Sequence, residues 1–148
     1  MKKWIIGILI IFVGIQFIPV DRSNPPVKSD IPAPLNVKQI LIRSCYDCHS
    51  NQTQWPLYSY IAPISVYIAR DVEEGRDELN FSEWEKYDLR KKFKKLDEVV
   101  EEIEEGKMPP RQYIWLHPDA KITPEDLDAI RFWVESYRLE MQRRYFNY

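Results

Sequence analysis

The chain has 148 residues, with 21 Lys and Arg against 23 Asp and Glu, for a formal net charge of −2. That length suffices to bury one core, and the acidic balance offers nothing to a phosphate backbone, so no nucleic acid is expected as a partner. Four glycines, with no G-x-G-x-x-G or G-x-x-x-x-G-K run, argue against nucleotide binding.

Residues 1–20 open with Lys2 and Lys3 and continue as an apolar run from Trp4 to Val20. As one helix this run would span about 25 Å, slightly under the ~30 Å hydrocarbon core of a bilayer, which leaves signal peptide and membrane anchor both open. No small-x-small cleavage pattern lies between Ile18 and Arg22, and two lysines precede the run while only Arg22 follows closely. Both details favour a single-pass transmembrane helix, with the remainder on the extracytoplasmic side of the cytoplasmic membrane. Residues 21–35, with Pro25, Pro26, Pro32 and Pro34, read as a stiff linker holding a domain, 36–148, off the bilayer.

The domain reads as all-α. Asn36 suits a helix N-cap with Gln39 as its capping-box partner and Leu35 stapled to Ile40, and Val37, Ile40 and Leu41 form one apolar face. That helix delivers Cys45-Tyr46-Asp47-Cys48-His49, which reads C-x-x-C-H, the attachment signature of a c-type haem. Two thiols so spaced can each add to one vinyl group of a porphyrin, while the next side chain places an imidazole on the iron. The same residues could form a thioredoxin-like redox pair, half a zinc site or a disulfide. Zinc lacks ligands, because outside the motif only His117 remains and there is no third cysteine. A thioredoxin motif would follow a strand, whereas the residues before Cys45 look helical. One haem, attached through Cys45 and Cys48 with His49 on the iron, is the expectation.

Ser50 to Thr53 should be loop, closed by Trp55 and Pro56. A helix is predicted from near Ala62, with Pro63 in its first turn, to a stop at Gly75. Another is predicted from Ser82, with Glu85 as capping partner, through Leu89, Phe93, Leu96, Val100 and Ile103 to Gly106. Its charged residues, Arg90, Lys91, Lys92, Lys94 and Lys95, then Glu101, Glu102, Glu104 and Glu105, read as a solvated face rather than a docking patch. The last helix starts behind Thr123, with Pro124 at its first position and a buried stripe of Leu127, Ile130, Val134, Tyr137 and Met141.

A haem iron with one histidine has a sixth position. Met108, in Gly106-Lys107-Met108-Pro109-Pro110, follows a helix stop, and the two prolines hold its backbone extended. It is the preferred second metal ligand. His117 competes for the same place, and an open position is the third choice. Trp55, Tyr58, Tyr67, Tyr113 and Trp133 are candidates for the pocket wall or for ordinary core.

The stretch from Cys45 to Asn51, then Thr53, Trp55-Pro56, Tyr58-Ser59 and Ile61-Ala62-Pro63, resembles a family of bacterial haem-binding domains related to cytochrome c. So do Asp71-Val72, Gly75-Arg76, Leu79 to Ser82 with Trp84, Met108-Pro109-Pro110 with Tyr113, and Leu116-His117-Pro118 with Ala120. The resemblance covers about residues 36–137 and implies a mono-haem helical domain, with both cysteines as thioether sites and His49 as proximal ligand. It implies an aromatic residue where Leu57 stands. The expected function is single-electron transfer at the outer face of the cytoplasmic membrane with an unidentified redox partner, not catalysis. A gas sensor or peroxidase-like enzyme with an open iron, and an accessory membrane protein with structural haem, are the alternatives.

Overall fold

The computed structural model describes residues 2–146. Met1, at the head of the expected anchor, and Asn147 and Tyr148, at the end of the expected domain, lie outside them. Seven α-helices and three short 3-10 turns, with no strand among the described residues, make the fold all-α.

Three helices build the core: α2 (Leu35–Ser44), α5 (Leu89–Glu104) and α7 (Pro124–Phe146), with α7 packed on both others. Val37, Ile40 and Leu41 are buried on α2, as their spacing predicts, in one cluster with Leu96 of α5 and Ile130, Trp133, Val134, Tyr137 and Met141 of α7. Thr123 caps α7 reciprocally: its hydroxyl accepts from Asp126 N at 3.1 Å, and its own N–H donates to the Asp126 carboxylate at 3.0 Å.

Elsewhere the helix ends differ from the sequence reading. Pro34, not Asn36, takes the cap position of α2, and Leu35 is 75% exposed, so no hydrophobic staple forms. Phe81–Lys86 is a 3-10 turn and α5 starts later, behind Asp88, whose carboxylate accepts from Lys91 N at 2.7 Å. Ser82 is unavailable as a helix cap because its hydroxyl accepts from Asn51 N at 3.0 Å. The charged run on α5 is not uniformly solvated. Lys92 and Lys95 are buried, Lys92 paired with Glu85 and lying over Trp84, Lys95 between Glu98 and Glu78. Their aliphatic stems cover core while the ammonium groups reach carboxylates at the rim.

The expected transmembrane helix is not supported. The apolar run folds as α1 (Lys2–Ile15), whose 14 residues rise about 21 Å. Among the described residues no helix is long and apolar enough to cross a membrane. The membrane partner and the extracytoplasmic, single-pass placement inferred from that helix therefore lose their basis. A polar clasp sits where the helix ends: Gln16 Nε2 donates to the carbonyls of Phe12 (2.9 Å) and Ala62 (3.2 Å), and its amide oxygen accepts from Ala62 N (3.0 Å).

The proline-rich segment is extended but is not a free tether. Ile31 lies in the core at 2% exposure, the N–H groups of Lys28 and Ser29 both donate to the Ser82 carbonyl, and Trp133 Nε1 donates to the Pro32 carbonyl at 3.0 Å. This segment is a strap over the helical core. Ile31→Ala should therefore cost about 2–5 kcal/mol of stability, the range for truncating a buried aliphatic side chain, read from the urea midpoint. An unchanged midpoint would mean that the strap contributes no core.

Candidate functional site

The C-x-x-C-H segment forms a single helical turn, α3 (Tyr46–His49), joined to α2 through Cys45, whose N–H donates to the Leu41 carbonyl at 2.8 Å. The two intervening residues anchor it in opposite directions. Tyr46 is buried, stacks on Phe81 with centroids 5.2 Å apart, and donates its hydroxyl to Asp30 of the strap at 2.6 Å. Asp47 accepts from Tyr113 Oη at 2.7 Å and from Gln54 N at 2.9 Å, while its carbonyl accepts from Thr53 Oγ1 at 2.7 Å. Burial pushes both thiols up to about 12, the neighbouring sulfur adding to the effect at Cys45 and the Asp47 charge at Cys48. No disulfide joins them. A redox-active C-x-x-C pair needs a depressed value, so this environment argues against thioredoxin-like chemistry. Among the described residues no group of three or more His, Cys, Asp or Glu is placed to hold a metal ion by itself.

His49 packs beside α4 (Ile64–Glu78). Its Nδ1 lies 2.8 Å from the Gly75 carbonyl and 3.1 Å from the Leu79 carbonyl. Both partners only accept, so Nδ1 carries the proton and Nε2 keeps a lone pair, with no hydrogen bond to a described residue. Burial lowers the pKa of the ring, against the opposing pull of the two carbonyls. The arrangement is that of an imidazole oriented through one nitrogen to ligate through the other.

Gly75 makes the approach possible. A Cβ built there would meet the Cys48 carbonyl oxygen at 2.7 Å. The sequence reading took Gly75 as a helix stop, but α4 runs through it to Glu78. Arg76, the next residue, binds the far side of the motif: it donates to the Ser50 carbonyl (2.8 Å), Thr53 Oγ1 (2.9 Å), Asn24 Oδ1 (2.8 Å) and the Ser23 carbonyl (3.1 Å). Buried Asn51 links the same loop to Asn80, Ser82 and the strap carbonyl of Pro26. Spacing alone could not assign these roles, because the partners are 23 or more residues away.

Met108 follows the end of α5. Gly106, at φ +68°, lets the chain close that helix: Gly106 N donates to the Ile103 carbonyl, and Lys107 N and Met108 N both donate to the Glu102 carbonyl at 2.9 and 3.0 Å. Pro109 is buried on the other side, so the backbone around Met108 is fixed while its side chain stays 38% exposed. His117 ends α6 (Arg111–Leu116), stacked on Tyr113 at 4.5 Å, and its Nε2 is hydrogen-bonded with Tyr58 Oη at 2.5 Å. Of the pocket candidates, Tyr113 reaches Asp47 and Tyr58 reaches His117. Trp133 instead stacks on Tyr137 in the core, and Tyr67 is 70% exposed. Leu57, where the resemblance implies an aromatic, is 89% exposed.

These features define a helical domain built to present one oriented imidazole beside two thiols. The chain belongs to the haem-binding domain family, whose model matches residues 10–136. No curated protein matches it, and neither does any solved structure. The residues fit the group: a neutral imidazole with a free Nε2, and exposed Ile64 and Tyr67 on α4, which packs beside α3, with exposed Leu57, Tyr60 and Ile61 at the 3-10 turn that packs on α4, an apolar surface suited to a flat apolar ligand.

Gly75→Ala separates helix propensity from the close approach. In an open helix alanine would stabilise by about 1 kcal/mol. Here the clash with Cys48 should reverse the sign, to a loss of about 1–3 kcal/mol in urea unfolding. A stabilised variant would show that α4 is free to move away from the motif.

Proposed function

We propose that this haem-binding domain, a relative of cytochrome c, carries one haem c through thioethers at Cys45 and Cys48, with His49 and Met108 as the residues that would hold its iron. It acts as a one-electron carrier rather than a catalyst. The single observation behind this reading is the tautomer of His49, held by Gly75 and Leu79 so that Nε2 is the nitrogen left to bind iron. The order of the motifs adds support, with C-x-x-C-H first and a proline-flanked methionine after a helix C-cap.

Bound haem supplies the ferric and ferrous states. The chain's residues do the rest. Cys45 and Cys48 would hold the group, each thiol giving its sulfur to one vinyl carbon and its hydrogen to the other, an addition that would need no oxidant. Tyr46 and Asp47 fix the turn that spaces the two sulfurs. The thioether of Met108 is presented from a loop with little backbone freedom left to lose, and a histidine–methionine pair raises the potential relative to two histidines. His117 is the weaker candidate because its Nε2 already has Tyr58 as a partner.

Acid-acetone extraction of the purified protein should leave the colour with the polypeptide, and no thiol should titrate after denaturation. Extracted colour together with two titratable thiols would refute thioether attachment. Met108→Ala should keep the haem, lower the reduction potential and let carbon monoxide bind the reduced protein. An unchanged spectrum and potential would remove Met108 from the iron.

A further inference from the structure

From α2 onward every helix contributes a buried residue except α6, Arg111–Leu116. Trp115 and Leu116 on it are exposed, so apolar packing does little to seat this helix. Side-chain hydrogen bonds hold it instead. Tyr113 Oη donates to Asp47 Oδ2 at 2.7 Å, and just past the helix end His117 Nε2 meets Tyr58 Oη at 2.5 Å. The Tyr113 and His117 rings stack with centroids 4.5 Å apart.

The chain enters α6 from Met108. Pro109 and Pro110 make the connection, with Pro110 in the cap position, and two fixed φ angles leave it few ways to bend. Behind Met108, Lys107 N and Met108 N donate to the Glu102 carbonyl of α5. Ahead of it stands the Tyr113 bond, which ends on Asp47, between the two cysteines. The acceptor is itself held, because the other carboxylate oxygen, Oδ1, accepts from Gln54 N at 2.9 Å. Burial, and then the bond to Asp47, push the pKa of the Tyr113 hydroxyl up, so the donor keeps its proton. A hydrogen bond to a charged acceptor is also stronger than one between neutral groups.

Resting on the reading that Met108 holds the iron, we infer that Tyr113 is the positioning residue for that thioether: its hydroxyl latches α6, and with it the Met108 loop, to the turn that carries His49. The two sides of the site are registered to each other through this bond. Its release lets the loop swing away and opens the sixth position to outside ligands.

The test uses the full-length holoprotein with imidazole as the incoming ligand. At saturating imidazole the ferric protein converts at the rate at which Met108 leaves, so the limiting rate reads the latch. Tyr113→Phe keeps the ring and its stack on His117 and removes the donor. Haem content should match the parent. The limiting rate should rise about tenfold, the factor carried by one hydrogen bond to a charged acceptor. Amide hydrogen exchange across 111–116 should quicken while that of α2 and α7 stays as in the parent. Asp47→Asn leaves Tyr113 a neutral acceptor, should raise the limiting rate by a smaller factor, and supplies the answer if Tyr113→Phe fails to fold. Full haem content with an unchanged limiting rate would overturn the latch and leave the haem reading standing, since a merely structural bond moves only the urea midpoint. A parent protein whose rate rises with imidazole without limit, as in Met108→Ala, would overturn Met108 as a ligand and the latch with it. Parent protein without haem would overturn the latch and the haem reading together.

Discussion

The hydrogen bond from His49 Nδ1 to the last turn of α4 is the constraint on which the site depends. An α-helix ends with carbonyls that have no partner inside it, and these carry the negative end of the helix dipole. Here the Gly75 carbonyl serves twice, accepting from Leu79 N to close the helix and from His49 to orient the ring. Nδ1 must then be the protonated nitrogen. The same contact makes Nε2 more basic, as a carbonyl partner does for histidines that bind metals. Ring orientation, tautomer and basicity follow from one piece of backbone.

That contact requires α3 and α4 to lie closer than side chains normally permit, and the rest of the architecture serves this approach. Gly75 removes the Cβ that would strike Cys48. Arg76 then draws the loop after His49 and the strap before α2 onto the same helix end, its guanidinium spread over four acceptors from two distant segments. Burial lowers the pKa of Arg76, since some of its hydration is lost, and charge-assisted bonds replace that hydration. Asn51, Asn80 and Ser82 continue the same polar seam inward, each buried and each bonded. A seam with every partner satisfied specifies one arrangement of the loop, where an apolar contact would tolerate several.

Local signals in the sequence were legible where the physics is local. The α2 face and the α7 stripe follow a helical period, and Thr123 with Pro124 marks the start of α7 through chemistry confined to a few residues. The motif itself is a local pattern, and the family match extends over the residues that carry it. What could not be read were roles assigned by distant partners. Ser82 looks like a cap until Asn51 is found on its hydroxyl, and Gly75 looks like a stop until Cys48 is found against it. Lys92 and Lys95 look solvated because their ends are charged, although both are buried, Lys92 with its ammonium over the Trp84 ring. The apolar run at the amino terminus misled for a related reason: hydropathy registers the run but not Gln16, whose two-way bond to Ala62 fastens the chain to the domain.

The two variable positions of C-x-x-C-H show how far the motif pattern falls short of a site. Its spacing fixes the cysteines and the histidine and leaves the intervening residues free. In this chain those residues hold the turn in place from both sides, Tyr46 reaching through the core to Asp30 and Asp47 reaching out to Tyr113 of α6. Because Asp47 also binds Gln54 N, the loop that carries Trp55 and the helix that carries Tyr113 converge on one carboxylate. Segments far apart in sequence, the strap, the loop after His49 and α6, therefore take their position from a single turn of helix. A ligand seated on that turn is surrounded by elements already registered to it, and little reorganisation is left for binding to bring about.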